Sequence, residues 1–121
     1  MPEISQRVRD WARMWENRDA DRVAEAYAVD ATHSSAVVAQ IKPDLGRTEL
    51  RGREEIRDYA RTALIRFTML RFELLSAVED ANHAAVEYLR HSNIDPANPK
   101  HVLELIEWRG NLISAVRVFH F

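Results

Sequence analysis

The stretch Val102-Leu103-Glu104-Leu105-Ile106-Glu107-Trp108-Arg109-Gly110-Asn111-Leu112-Ile113-Ser114-Ala115-Val116-Arg117-Val118-Phe119-His120-Phe121 decides the reading of this chain. Two β-branched and aromatic runs flank Arg109-Gly110-Asn111, the signal of a closing β-hairpin. Ahead of the hairpin, Phe72, Leu74, Ser76 and Val78 alternate with Arg71, Glu73, Leu75 and Ala77, and Ala84–Ser92 reads as a further strand after the Ala81-Asn82 turn. Pro96 and Pro99 hold residues 93–100 out of the sheet, because proline has no ladder donor.

The first half has the other period. Ile4, Val8, Trp11, Ala12 and Trp15 recur at helical spacing. Asp19 caps a second helix that buries Val23, Ala26 and Tyr27 and ends near Asp30. Ala31–Val38 reads as a short strand, and residues 39–51, with Pro43 and Gly46, as a lid or binding loop. After Gly52, a third helix puts Ile56, Tyr59, Ala60, Ala63, Leu64 and Phe67 on one face. The expected architecture is α+β: a sheet that curls around three N-terminal helices to bury one face and encloses a pocket.

Composition narrows the function classes. A chain of 121 residues forms one domain, 1–121, with a real core. A net charge of −2, with no basic block, gives no reason to expect nucleic acid or an anionic membrane surface. Absence of cysteine excludes a disulfide framework and thiol chemistry. The amino-terminal Met-Pro-Glu-Ile-Ser-Gln is neither a basic leader nor an apolar h-region, so a cytoplasmic location is expected.

The element order resembles the nuclear transport factor 2-like cone, in its SnoaL-like branch. The resemblance rests on Asp19-Ala20-Asp21, Tyr27-Ala28-Val29-Asp30-Ala31-Thr32, Leu50-Arg51-Gly52-Arg53-Glu54-Glu55-Ile56 and Gly110–Phe119. Strand parity splits the hairpin into two faces. If Gly110-Asn111 make the turn, Trp108 opposes Ile113, Ile106 opposes Ala115 and Glu104 opposes Arg117. The resemblance turns the face of Val102, Glu104, Ile106, Trp108, Ile113, Ala115, Arg117 and Phe119 to the cavity. It leaves Leu103, Leu105, Glu107, Leu112, Val116 and Val118 for a homodimer partner. Val86, Tyr88, Arg90 and Ser92, with His33 and Ser35, share the inward parity.

The expected pocket is walled by Trp11, Trp15, Tyr27, Tyr59, Phe67, Phe72, Trp108 and Phe119, with His33, Ser35, Tyr88, Arg90, Glu104 and Arg117 as its polar groups. Such a mostly apolar cavity suits a small hydrophobic carbonyl or carboxylate compound. His33 has the ordinary pKa for proton transfer near neutrality. The same residue is also well explained as a strand histidine bonded to backbone. Glu104 and Arg117 read as a pair, Tyr88 as a hydrogen-bond donor, and Arg90 with Arg117 as stabilisers of an oxyanion. Trp11 and Trp15 are more simply core than ligand-stacking residues. No His-x-x-x-His or similar spacing marks a metal, and no cofactor is implied.

Known chemistries of the resembling branch are not preserved residue for residue. The ketosteroid isomerase general-base position falls on Ser35, the oxyanion-hole tyrosine on Trp11, and the neutral aspartic acid near Ile106. Limonene epoxide hydrolases place Arg-x-Asp where this chain has Arg90-His91-Ser92, and an aspartate where it has Arg117. The expectation is cofactor-free acid–base chemistry, such as isomerisation, cyclisation or dehydration. The alternative is a non-catalytic small-molecule-binding or dimerisation module of the same fold.

Overall fold

Ser5 starts the first helix, α1 (Gln6–Glu16), by accepting the Val8 amide, and its own hydroxyl donates to Glu79 at 2.6 Å. Capping and anchoring therefore share one side chain. In the computed structural model, which describes residues 3–121, α1 buries Val8, Trp11, Ala12 and Trp15 as its spacing requires. Met1 and Pro2, part of the amino-terminal stretch read above for a leader, lie outside the described residues.

The second helix, α2 (Ala20–Glu25), is capped by Asp19. It stops short of the expected Asp30, because Tyr27 opens the first strand, β1 (Tyr27–Ser34). Tyr27 pairs there with Ile113, and the Ile113 amide donates to Ala26 O at 2.8 Å. The strand expected to run to Val38 ends at Ser34. Ser35 accepts the Val37 amide and caps a fourth helix, α3 (Ala36–Ile41). The β-branched Val37 and Val38 favoured a strand reading, and the serine cap overrides them.

The expected loop 39–51 is thus largely structured. It holds the end of α3, a 3-10 turn at Pro43–Leu45 and a short strand, β2 (Glu49–Arg51), paired with β1. Arg47 clamps Glu55 through two hydrogen bonds of 2.7 and 2.8 Å, and Lys42 meets Asp58 at 2.6 Å, tying this segment to the last helix, α4 (Arg53–Leu64). Gly52, at φ +88°, makes the turn into α4 where a side chain would be strained.

Four long strands follow: β3 (Leu70–Glu79), β4 (His83–Ser92), β5 (Lys100–Arg109) and β6 (Leu112–His120). The sheet has six strands in the order β2-β1-β6-β5-β4-β3. All neighbours are antiparallel except β1 and β6, so the sheet is mixed. Its two ends are not joined, and its inner face holds the helices, as the cone reading requires.

Besides a register shift between Tyr27 and Thr32 in β1, two β-bulges in the long strands set which side chains face inward. In β3 the register shifts between Leu74 and Ser76, so Ala77 turns in while Val78 is 76% exposed. In the hairpin the shift falls between Glu107 and Trp108, opposite the extra residue Ser114. Trp108 still opposes Ile113, but Ile106 now opposes Val116 and Glu104 opposes Val118. A one-residue slip exchanges the two faces of a strand. Val116 is therefore core, while Arg117 and Phe119 lie outside, which corrects the inward assignment of Ala115, Arg117 and Phe119. The outer face carries Leu103, Leu105, Arg117 and Phe119.

Candidate functional site

Between α3, α4 and the open edge of the sheet lies a cavity of about 290 Å³, lined by side chains from α1, α3, α4 and strands β1, β3, β4, β5 and β6. That volume is at the small end of the roughly 300–1,000 Å³ usual for small-molecule sites. Its apolar wall includes Trp15, Val37, Ile41, Tyr59, Leu64, Phe67, Leu70, Phe72 and Val118. Its polar groups are His33, Ser35, Gln40, Tyr88, Arg90, Glu104 and His120, with Arg66.

Glu104 is the buried acid of the cavity wall. Strand β5 carries it inward between Val102 and Ile106, and it is only 4% exposed. Among the described residues, the side-chain hydrogen bond to its carboxyl comes from Tyr88, whose hydroxyl donates to Oε1 at 2.7 Å. Val86 opposes Glu104 across the ladder, so Tyr88 reaches it diagonally on the same face. Burial pushes the carboxyl up to about 7, against the smaller opposing pulls of Tyr88 and Arg90. Burial also raises Tyr88 well above the usual phenol value, so it remains a donor.

Tyr88 is held rigidly for this task. Phe72 stacks on it with ring centroids 4.5 Å apart, and Trp11 meets it edge-on at 5.7 Å. Beside the carboxyl, Arg90 Cζ lies 5.8 Å from the Phe67 ring centre, and its Nε is buried without an acceptor.

His33 is buried and neutral, because burial lowers it to about 4. Its Nδ1 lies 3.0 Å from the Tyr27 hydroxyl. Tyr27 is fully buried, and burial raises its hydroxyl well above the usual value. The phenol stays protonated, and the imidazole tautomer sets which of the two groups donates. At neutral pH His33 is therefore an uncharged hydrogen-bonding group on the cavity wall.

The expected site residues divide accordingly. His33, Ser35, Tyr88, Arg90 and Glu104 line the cavity together with Trp15, Tyr59 and Phe72. Tyr27 stands behind His33, and Trp11 lies in the core against Phe72 and Tyr88, neither of them on the cavity wall. Trp108 is at the other end of the molecule, with the Arg7 guanidinium 3.9 Å above its ring. Phe119 and Arg117 are outside. The Glu104–Arg117 pair therefore does not form, since the bulge at Ser114 turns Arg117 to water. Arg117→Gln is expected to change stability by less than about 0.5 kcal/mol, with no coupling to Glu104 in a double-mutant cycle by urea denaturation.

His120, Gln40 and Ile41 were missed. The Ser35 cap was the available signal for the α3 residues. For His120 no local signal exists, because the same bulge that turned Arg117 out brought it to the cavity. Burial and the nearby Arg90 and Lys100 lower its pKa. Among the described residues, no cluster of three or more His, Cys, Asp or Glu side chains could hold a metal ion, and no helix is long and apolar enough to cross a membrane.

The comparisons agree with the fold. The SnoaL-like domain family matches residues 8–118, so the chain belongs to that family. A SnoaL-like protein of unknown function from Burkholderia thailandensis superposes with a TM-score of 0.76 at 23% identity, over 93% of this chain and 89% of its own. A Catenulispora acidiphila protein with a ketosteroid isomerase-like fold, solved with trimethylamine, gives 0.75 at 18% identity over 97% and 86%. An NTF2-like protein of unknown function from Cytophaga hutchinsonii gives 0.69 at 10% identity over 99% and 93%. A comparison with curated protein sequences finds no match.

Proposed function

We propose that the cavity takes a small, mostly apolar carbonyl or carboxylate compound and moves a proton on it without a cofactor, as in isomerisation, cyclisation or dehydration. The observation that carries this reading is Glu104, a buried carboxyl on the cavity wall whose pKa of about 7 matches a working pH near neutrality. In its ionised form Glu104 takes the proton α to a carbonyl. In its protonated form it returns the proton to carbon or to a leaving oxygen. Arg90 sits where negative charge develops on the substrate oxygen, and the Tyr88 hydroxyl stabilises the ionised Glu104. His33, held against the Tyr27 hydroxyl, stays neutral at the working pH. Pairing of two copies across the outer sheet face remains part of the proposal, with Arg117 and Phe119 in place of Val116 and Val118.

Deuterium exchange at the α-carbon of cyclohexanone in D2O, followed by NMR, tests the proton transfer directly. The exchange rate is expected to rise with pH and level off above an apparent pKa near 7. Tyr88→Phe removes the hydrogen bond that lowers Glu104 and should move the midpoint upward. Exchange no faster than in buffer would leave the family's other reading, a non-catalytic binding module, as the better account.

A further inference from the structure

Two buried donors on the cavity wall have no acceptor among the described residues: Trp15 Nε1 and Arg90 Nε. Trp15 is 8% exposed, so its indole is removed from bulk water. Arg90 forms no ion pair among the described residues, and neither does Arg66, which also lines the cavity. Glu104 is the one acid on the lining, and its carboxyl faces Tyr88, not a cation at contact distance. The cavity is thus rich in unpaired donors and positive charge, around an apolar wall.

We infer that the cavity binds the anion of a small apolar carboxylic acid, its carboxylate on Arg90 and the Trp15 indole N–H, and that each anion is captured together with one proton on Glu104. The inference rests on the small-molecule reading of this cavity and adds the ligand's charge and the proton it brings. Its physical basis is repulsion. Two carboxylates in one buried space cannot both stay ionised cheaply, so a bound anion drives a proton from solvent onto Glu104. Sharing Arg90 with the ligand also weakens the pull that lowers Glu104 in the free protein.

The groups facing Glu104 leave it as the titrating partner. Tyr88 and Tyr27 are raised well above the usual phenol value and Tyr59 to about 12, while His33 is neutral above about 4. Burial, with Arg90 and Lys100 nearby, lowers His120 from the ordinary histidine value. Proton uptake at pH 8 that is lost in Glu104→Gln therefore reports Glu104.

Titration calorimetry with cyclohexanecarboxylate, cyclohexanecarboxamide and trimethylammonium, each in phosphate and in Tris, decides the matter. The carboxylate is expected to bind at least tenfold more tightly than the amide at pH 6.5. At pH 8 it should take up close to one proton, and its affinity should fall about tenfold for each pH unit above 7. Glu104→Gln should still bind the carboxylate, without proton uptake or this pH dependence. Arg90→Gln should lose the preference over the amide, and Trp15→Phe, which keeps the charge, should weaken the carboxylate alone. Equal binding of acid and amide, tighter binding of the cation, binding of none of the three, or no proton uptake at pH 8 would overturn the inference. Absence of α-carbon exchange would count against the proposed chemistry and leave this binding result untouched.

Discussion

Glu104→Gln is expected to be more stable than the parent at pH 8 and to lose that advantage at pH 4, a swing of about 3 kcal/mol. The sign follows from burial. Glu104 sits at about 7 in the folded chain, above the usual 4.5, so folding favours its neutral form. Its contribution is fully present below pH 4.5 and is lost as pH rises through 7, where a carboxylate must be kept out of water. Glutamine keeps the shape and can still meet the Tyr88 hydroxyl, with no charge to bury. His33 works in the opposite direction. At about 4, below the usual 6.5, its contribution is present above 6.5 and lost as pH falls through 4. In the parent the two slopes oppose each other between pH 4.5 and 6.5, and Glu104→Gln should uncover the acid-side loss due to His33. Urea denaturation at pH 4, 5, 6, 7 and 8 measures this. Parallel stability curves for parent and variant would contradict the buried, proton-exchanging state of Glu104. The same variant should slow α-carbon exchange by about 10²–10⁴-fold.

Trp11→Ala should destabilise the fold by about 3–5 kcal/mol, the range for deleting a buried tryptophan. Trp11 is 4% exposed and packs on Phe72 at 5.6 Å and Tyr88 at 5.7 Å between ring centroids. Its loss leaves a cavity behind the two rings that set the Glu104 hydrogen bond, so stability and site geometry should fail together. Trp11→Phe keeps an aromatic ring there and is expected to retain most of the stability, with unchanged affinity for cyclohexanecarboxylate. A marked affinity loss in Trp11→Phe, at retained stability, would return Trp11 to the ligand-binding wall. Thermal melting and calorimetry on the same samples separate the two cases.

The division of labour between sequence and fold is visible at particular residues. Periodicity and caps suffice for α1, where Ser5 and the run Val8, Trp11, Ala12 and Trp15 are local signals of a local structure. Alternation suffices for β4, whose Val86, Tyr88, Arg90 and Ser92 face inward as expected. For Glu104 alternation defines two apolar faces and the family resemblance chooses the inward one, while the hairpin turn at Gly110, with φ +64°, was directly legible. Residue pattern together with the family resemblance therefore determined the cone, the inward carboxyl and its tyrosine. Tertiary structure alone decided where α2 gives way to β1 at Tyr27, since that choice depends on pairing with Ile113, 86 positions along the chain by their numbers. It alone decided that Ser114 is bulged, which put Arg117 in water, Val116 in the core and His120 at the cavity. The physical reason is that strand parity is a local count, whereas a bulge is an energetic choice made by the whole sheet. Without the bulge, Arg117 would lie opposite Glu104 inside the protein, and an ion pair there must recover several kcal/mol of desolvation per charge. One unpaired residue at Ser114 avoids that cost and leaves Glu104 without a cationic partner at contact distance, the condition on which the proposed proton transfer depends.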